Sequence, residues 1–182
     1  MMLRIISVLF AVGLTGAAEA QVAVWSTAAS ACVPSEVTTK LNRHKLGVAS
    51  VQHVASNVDQ IVLTCPSMAE FSTTGLDSLR LRITYLDSTG PSVSAFVRAR
   101  LFGMVMDTND PVLLAVVNSN TSSMTTLNSL DSGLITHNFN FTQNTYWVRL
   151  DMDRSSTSET VILHSVFLIG NPDGSWPETD VM

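Results

Sequence analysis

The sequence predicts an all-β domain that folds as a two-sheet sandwich. Apolar side chains alternate with polar ones at a period of two from Val48 to Ile169, which is the pattern of strands with one buried face. Clusters of Ser, Thr, Asn, Gly and Pro separate these stretches, and helical spacing is hard to find over any long window. Short strands divided by turns predict about eight or nine strands in a jelly-roll or Greek-key arrangement.

Residues 1–20 predict a signal peptide that is cleaved after Ala20. Arg4 precedes a short apolar stretch, and Ala18-Glu19-Ala20 is a small-x-small step, as is typical of segments that direct export. The apolar stretch is about half the roughly 20 residues that span a bilayer. We therefore expect a secreted or periplasmic single domain over residues 21–182, with no membrane contact after cleavage.

The two cysteines predict one disulfide, between Cys32 and Cys65. Their number is even, and an exported chain meets an oxidising compartment. The alternative is a pair of buried free thiols. A disulfide would leave neither sulfur to act as a nucleophile or a metal ligand.

The first half of the chain contains weak strand candidates, a short helical segment and one strong pair of strands. Residues 22–25 and 48–54 are weak candidates, and residues 35–42 predict a helical turn or two because Pro34 and Ser35 are helix start signals. Residues 61–63 are apolar on both faces, as in a central strand. Residues 79–85 and 93–101 both alternate, and the turn residues between them predict a hairpin.

The second half predicts another hairpin and a second central strand. Residues 112–117 are a weak candidate, and residues 118–132 read as a long surface loop or a loosely paired strand. Residues 135–141 and 146–153 alternate on either side of Gln143-Asn144, which predicts a hairpin. Residues 161–169 are apolar on both faces except for His164 and Ser165, which predicts a strand in the middle of a sheet.

The strand at 146–153 carries the best candidate for a binding site. Four of its side chains point away from its apolar set: Trp147, Arg149, Asp151 and Asp153. An aromatic ring beside an Arg and two carboxylates can hold a sugar, because the ring stacks on it and the charges bind its hydroxyls. The alternative is an ordinary solvent-facing surface with the Trp beneath a loop.

Four arginines would crowd the outward face of the first predicted hairpin: Arg80, Arg82, Arg98 and Arg100. If the 146–153 strand lies beside this hairpin, Asp151 and Asp153 would pair with these arginines in an ion-pair network. Without nearby carboxylates, the arginines would form an anion site for an acidic polysaccharide or phosphate.

Several other functions are disfavoured. The net charge of -5 repels nucleic acid. The four histidines show no metal-binding spacing, and no cofactor motif is present. Asp151 and Asp153 have a spacing that a glycosidase pair could use, but nothing in the sequence gives them unlike environments. We therefore predict no catalytic residue, no metal and no cofactor.

The cysteine pair and the β-rich body resemble fimbrial subunits of Gram-negative bacteria, in which a neighbour's N-terminal strand completes the fold. The resemblance implies that Gln21 to Ser30 is such a donor strand and that the protein self-assembles. The chain departs from that family after Ile169, where a polar tail with Pro and Gly replaces the closing apolar strand.

The function that the sequence favours is a non-catalytic binding module for carbohydrate or another cell-surface polymer. The step from fold to sugar is an analogy between folds. The alternative is a structural or assembly subunit that uses an exposed edge strand or the N-terminal donor strand.

Overall fold

The computed structural model describes residues 21–35, 44–71, 78–108 and 110–171. Within these ranges the chain forms eleven strands and two short 3-10 turns. The strands are β1 (Val22–Ala28), β2 (Val33–Pro34), β3 (His44–Leu46), β4 (Val51–His53), β5 (Ile61–Thr64), β6 (Ser78–Asp87), β7 (Ala95–Val105), β8 (Pro111–Asn118), β9 (Asn128–Asp131), β10 (Asn144–Arg154) and β11 (Val161–Asn171). The predicted leader and most of the predicted helical segment lie outside the described residues.

The strands form two antiparallel sheets, so the predicted sandwich is confirmed. Sheet I has the order β3-β4-β11-β6-β9, and β1 also pairs with β11. Sheet II has the order β2-β5-β10-β7-β8. The two segments that are apolar on both faces, β5 and β11, lie inside their sheets as predicted. No helix in these ranges is long and apolar enough to cross a bilayer.

The eight strands from β4 to β11 are arranged as a jelly roll. Strands β4 and β5 pair with β11 and β10, which in turn pair with β6 and β7. Strands β8 and β9 then lie outside β7 and β6. This order is that of a jelly roll, in which β4, β6, β9 and β11 lie in sheet I and β5, β7, β8 and β10 lie in sheet II. The remaining strands β1, β2 and β3 extend the sheets at their edges.

The core lies between the sheets and is built from the apolar set of each alternating strand. Sheet I contributes Leu81 and Ile83, and sheet II contributes Val148 and Leu150, all fully buried. A fully buried side chain of this size stabilises the fold by about 1.5 to 3 kcal/mol. The period of two therefore places the opposite set of side chains on the outer faces of the sandwich.

The first predicted hairpin is wrong, because its two strands belong to different sheets. Strand β6 pairs with β11 and β9, whereas β7 pairs with β10 and β8. The segment between Asp87 and Ala95 crosses from sheet I to sheet II, and the Asp87 side chain accepts the amide hydrogen of Thr89 at its start. Alternation predicts which face of a strand is buried, but it does not show to which sheet the strand belongs. Strands of both sheets bury their apolar faces in the same core.

The second predicted hairpin is also wrong. In the structure, residues 136–140 are irregular, and Ile135 forms only a single bridge, to Leu79. Phe139 and Phe141 pack against the core and against the ring of Tyr146. The alternation at 135–141 thus places the rings of Phe139 and Phe141 against the core and does not reflect backbone pairing. Residues 118–132, predicted as a loop or a loose strand, contain the 3-10 turn Ser119–Thr121 and β9.

The N-terminal strand completes its own sheet. Six residues of β1 pair with β11, with a bulge between Ala23 and Trp25. The segment proposed as a donor strand for a neighbour is therefore paired within its own chain. Just beyond it, Cys32 and Cys65 form the predicted disulfide, which ties this region to the end of β5.

Arg154 closes one end of the sandwich. It is the last residue of β10, and its side chain is buried. Its guanidinium donates to the backbone carbonyls of Asn57, Glu159 and Val54, each at 2.8 Å. These bonds hold the loops after β4 and β10 against the end of the sheets.

Candidate binding face

The outer face of sheet II gathers the residues with the richest chemistry. Strands β7 and β10 pair over their whole length, so outward side chains stand opposite one another in rows. The rows along this face are Trp147 with Phe102, Arg149 with Arg100, Asp151 with Arg98, and Asp153 with Phe96. Successive rows are separated by two residues along each strand, which is about 7 Å.

Trp147 and Phe102 form a stacked aromatic pair. Their ring centroids are 5.5 Å apart and their planes are inclined by 17°. Both side chains are half-buried, and Trp147 makes no other ring contact in the part of the chain that the structure describes. The pair comes directly from the register, because the two residues are opposite each other on neighbouring strands.

Asp151 lies at the centre of an ionic cluster on the same face. One carboxylate oxygen accepts hydrogen bonds from Arg100 Nη2 at 2.6 Å and Nε at 3.1 Å. The Nε atoms of Arg98 and Arg149 lie 3.6 Å and 3.5 Å from the carboxylate. Asp151 is only 1% exposed, so these guanidinium groups replace water around its charge.

The four candidate residues of β10 lie on one face of the sheet, but they differ in how deeply their side chains are buried. Asp151 was expected to point to solvent and to a ligand, whereas it is buried beneath the arginines. Trp147, Arg149 and Asp153 are half-buried and reach the surface. Only these three can meet a ligand directly, and Asp151 acts by holding the arginines in place.

Asp153 lies in a different environment, at the end of the face near Arg154. Burial raises the pKa of Asp153, and the negative charges of Asp59 and Glu159 raise this pKa further. A hydrogen bond from the backbone N–H of Arg154, at 2.9 Å, acts in the opposite direction. One backbone donor therefore stabilises the charged form of Asp153 and offsets part of the effect of burial on its pKa.

The predicted patch of four arginines is divided between the two sheets. Arg80 and Arg82 lie on β6 in sheet I, and Arg98 and Arg100 lie on β7 in sheet II. Arg82 pairs with Asp131 on the neighbouring strand, with Nη2 2.6 Å from the carboxylate. The expected network with Asp151 forms only for the sheet II arginines, which Arg149 joins.

Phe102 is the residue of this face that the sequence interpretation missed. The predicted strand ends at Leu101, but the alternation of β7 continues beyond it, and Phe102 belongs to the same outward set as Phe96, Arg98 and Arg100. Arg98 lies over the Phe96 ring at 5.1 Å, and Arg100 lies 6.0 Å from the Phe102 ring. Such contacts favour cations on the faces of the rings.

No known family model matches the chain, and no curated protein matches its sequence. Among solved structures, its fold is similar to that of a xylan-binding module, CBM15, with a TM-score of 0.46 and 14% sequence identity. The match covers 84% of this chain and 97% of that module. At this level of likeness, the residues of this chain, and not the neighbour's ligand, have to carry the functional conclusion.

Proposed function

We propose that the protein is a secreted or periplasmic binding module without catalytic activity, which binds a carbohydrate polymer on the outer face of sheet II. The proposal rests on the stacked Trp147 and Phe102 rings, which lie one row from the Arg149 and Arg100 pair. An aromatic ring packs against the C–H face of a sugar, and guanidinium groups donate to its oxygens.

The ring pair is held in place before any ligand arrives. Trp147 and Phe102 belong to the two longest strands of sheet II and are stacked on each other. Side chains that are already ordered lose less conformational entropy on binding. A sheet face of this kind suits a polymer, since it presents a row of groups along the strands rather than a closed pocket.

Export is supported by two features. Residues 1–20 have the pattern of a cleaved leader. Both cysteines are joined in a disulfide, which persists mainly in oxidising compartments. Both features belong to a protein that meets its ligand outside the cytoplasm.

The carboxylates on this face do not support hydrolysis of the ligand. A glycosidase needs two carboxyl groups that both reach the scissile bond. Asp151 is 1% exposed and is bound to Arg100 at 2.6 Å, so it cannot approach a sugar. Asp153 is the only other carboxylate in the four rows of this face.

Affinity electrophoresis tests the proposal. The mature protein is run in native gels that contain xylan, β-glucan, mannan, alginate or polygalacturonate, and at least one polymer is expected to retard it. Trp147→Ala should weaken that retardation about tenfold, which corresponds to about 1.4 kcal/mol. Phe167→Ala is the matched control, because Phe167 is a half-buried aromatic residue opposite Arg82 in sheet I. Equal behaviour of the two variants, or no retardation by any polymer, would refute the proposal.

An assembly role is the second candidate, and the edge of sheet II favours it. Strand β8 is the last strand of this sheet in the described chain, and Val112, Leu113 and Val116 on it are more than two-fifths exposed. Uncharged apolar edges of this kind pair readily with other strands. Sedimentation velocity over a range of concentrations tests this role. Concentration-dependent oligomers that Val112→Lys abolishes would support assembly, and a monomer at all concentrations would exclude it.

A further inference from the structure

The outer face of sheet II carries more positive than negative charge. Arg98, Arg100 and Arg149 surround the single carboxylate of Asp151. The arginine side chains are between 24% and 36% exposed, whereas Asp151 is 1% exposed. A ligand at the surface therefore meets guanidinium groups. The Asp151 carboxylate, which neutralises one of these three positive charges, lies beneath them. Even with Asp153 included, the four rows keep an excess of positive charge.

Two of these guanidinium groups retain hydrogen-bonding capacity. Arg100 makes two hydrogen bonds to Asp151, at 2.6 Å and 3.1 Å. The Nε atoms of Arg98 and Arg149 lie 3.6 Å and 3.5 Å from the Asp151 carboxylate, which is longer than a normal hydrogen bond. Within the described residues, their terminal Nη atoms have no hydrogen-bond partner.

The free donors of Arg149 lie one row from the aromatic pair, and those of Arg98 lie two rows from it. Arg149 is two residues from Trp147 on the same strand, about 7 Å along the face. A sugar ring stacked on Trp147 would place a substituent of that ring near the Arg149 guanidinium. The planar fork of an arginine matches a carboxylate, which it binds through two parallel hydrogen bonds.

The positive charge of this face contrasts with the charge of the whole chain. The whole chain has a net charge of -5, so it repels polyanions at long range. On the outer face of sheet I, Arg82 is matched by Asp131. A positive excess on one face of an acidic protein gives selectivity for an anionic ligand that docks there, and it does not promote general adhesion to polyanions.

From these observations, and resting on the proposed function, we infer that the outer face of sheet II selects polysaccharides whose sugars carry carboxylates, that is, polymers of uronic acids. Trp147 and Phe102 hold a sugar ring, and Arg149 and Arg98 bind carboxylates of the same chain. Arg100 stays paired with Asp151 and keeps the arginines in position.

The test compares polygalacturonate with its fully methyl-esterified form, which has the same backbone but no charge. In affinity electrophoresis at pH 7, polygalacturonate or alginate is expected to bind at least tenfold more tightly than the ester. The double variant Arg98→Gln/Arg149→Gln should remove this preference, and 0.5 M NaCl should weaken it. Lys45→Gln removes one positive charge at an exposed position on β3 and should leave binding unchanged. Melting temperatures confirm that each variant is folded.

The outcomes separate the inference from the proposed function. Equal binding of the ester and the acid, lost in Trp147→Ala, would overturn the inference and leave carbohydrate binding standing. An acid preference that survives in the double variant would also overturn it. Tighter binding of dextran sulfate than of either uronate polymer, lost in the double variant, would show a sulfate site and would overturn the carboxylate assignment. Failure of both uronate polymers to bind would overturn it as well, and failure of every polymer would refute the proposed function too.

Discussion

The stability of the protein should fall steeply in acid because of His53. This residue ends β4 and is 7% exposed. Its Nε2 lies 3.0 Å from the carbonyl oxygen of Asp59, which requires a ring that donates from Nε2. Burial lowers the pKa of His53 to about 4, and the nearby Arg154 cation acts in the same direction. The carbonyl and charge of Asp59 oppose this shift.

The sign of the effect follows from proton linkage. The unfolded chain binds a proton at His53 below about pH 6.5, whereas the folded chain binds it only near pH 4. The stabilisation is therefore complete above pH 6.5 and is lost as the pH falls towards 4. A pKa difference of about 2.5 at about 1.4 kcal/mol per unit corresponds to a loss of about 3 kcal/mol.

Urea unfolding at pH 7 and pH 4, followed by tryptophan fluorescence, measures this loss. The His53→Gln variant keeps a side-chain donor for the Asp59 carbonyl but does not titrate. Wild-type protein should lose about 3 kcal/mol more than the variant between the two pH values, since the other titrating groups are common to both. The same loss of stability in wild type and variant would show that His53 is not the group responsible.

Three further predictions concern stability. The double variant Cys32→Ala/Cys65→Ala should lower the free energy of unfolding by about 3 to 4 kcal/mol, because the disulfide closes a loop with a sequence separation of 33; guanidinium unfolding measures this, and unchanged stability would contradict it. Arg154→Lys should lose about 3 kcal/mol, since one ammonium cannot reach the four carbonyls that the guanidinium binds; hydrogen exchange should rise at residues 54–59, and unchanged protection there would argue against it. Asp151→Asn should cost about 2 to 3 kcal/mol because it leaves three arginines without their carboxylate, whereas Asp153→Asn should change the melting temperature little; similar shifts in both would contradict the cluster.

The fold class could be predicted because the pattern of one strand depends only on that strand. Val148 and Leu150 alternate with Trp147 and Arg149, and each set lies on the side that the pattern assigns to it. The disulfide could be predicted for a similar reason, since two cysteines allow one pairing. Neither prediction depends on which strands pair: burial follows from the sequence of a single strand, and the disulfide follows from the number of cysteines.

The partners of the strands could not be predicted, because pairing depends on the whole path of the chain. Strands β6 and β7 are neighbours in sequence with turn residues between them, yet they face each other across the core. This error placed Arg80 and Arg82 beside Arg98 and Arg100. The burial of Asp151 was missed for the same reason, since it depends on the register of β10 with β7.

The register also explains why two outer faces with similar residues differ in how their charges are paired. On sheet I, Arg82 faces Asp131 on the adjacent strand and the two charges satisfy each other. On sheet II, Arg100 faces Arg149 and Arg98 faces Asp151, so three cations converge on one acid. The buried acid holds the arginines in position and leaves the terminal nitrogens of Arg98 and Arg149 without a hydrogen-bond partner among the described residues. The surplus of cations is thus part of the folded structure, and under the inference above an anionic ligand would balance it.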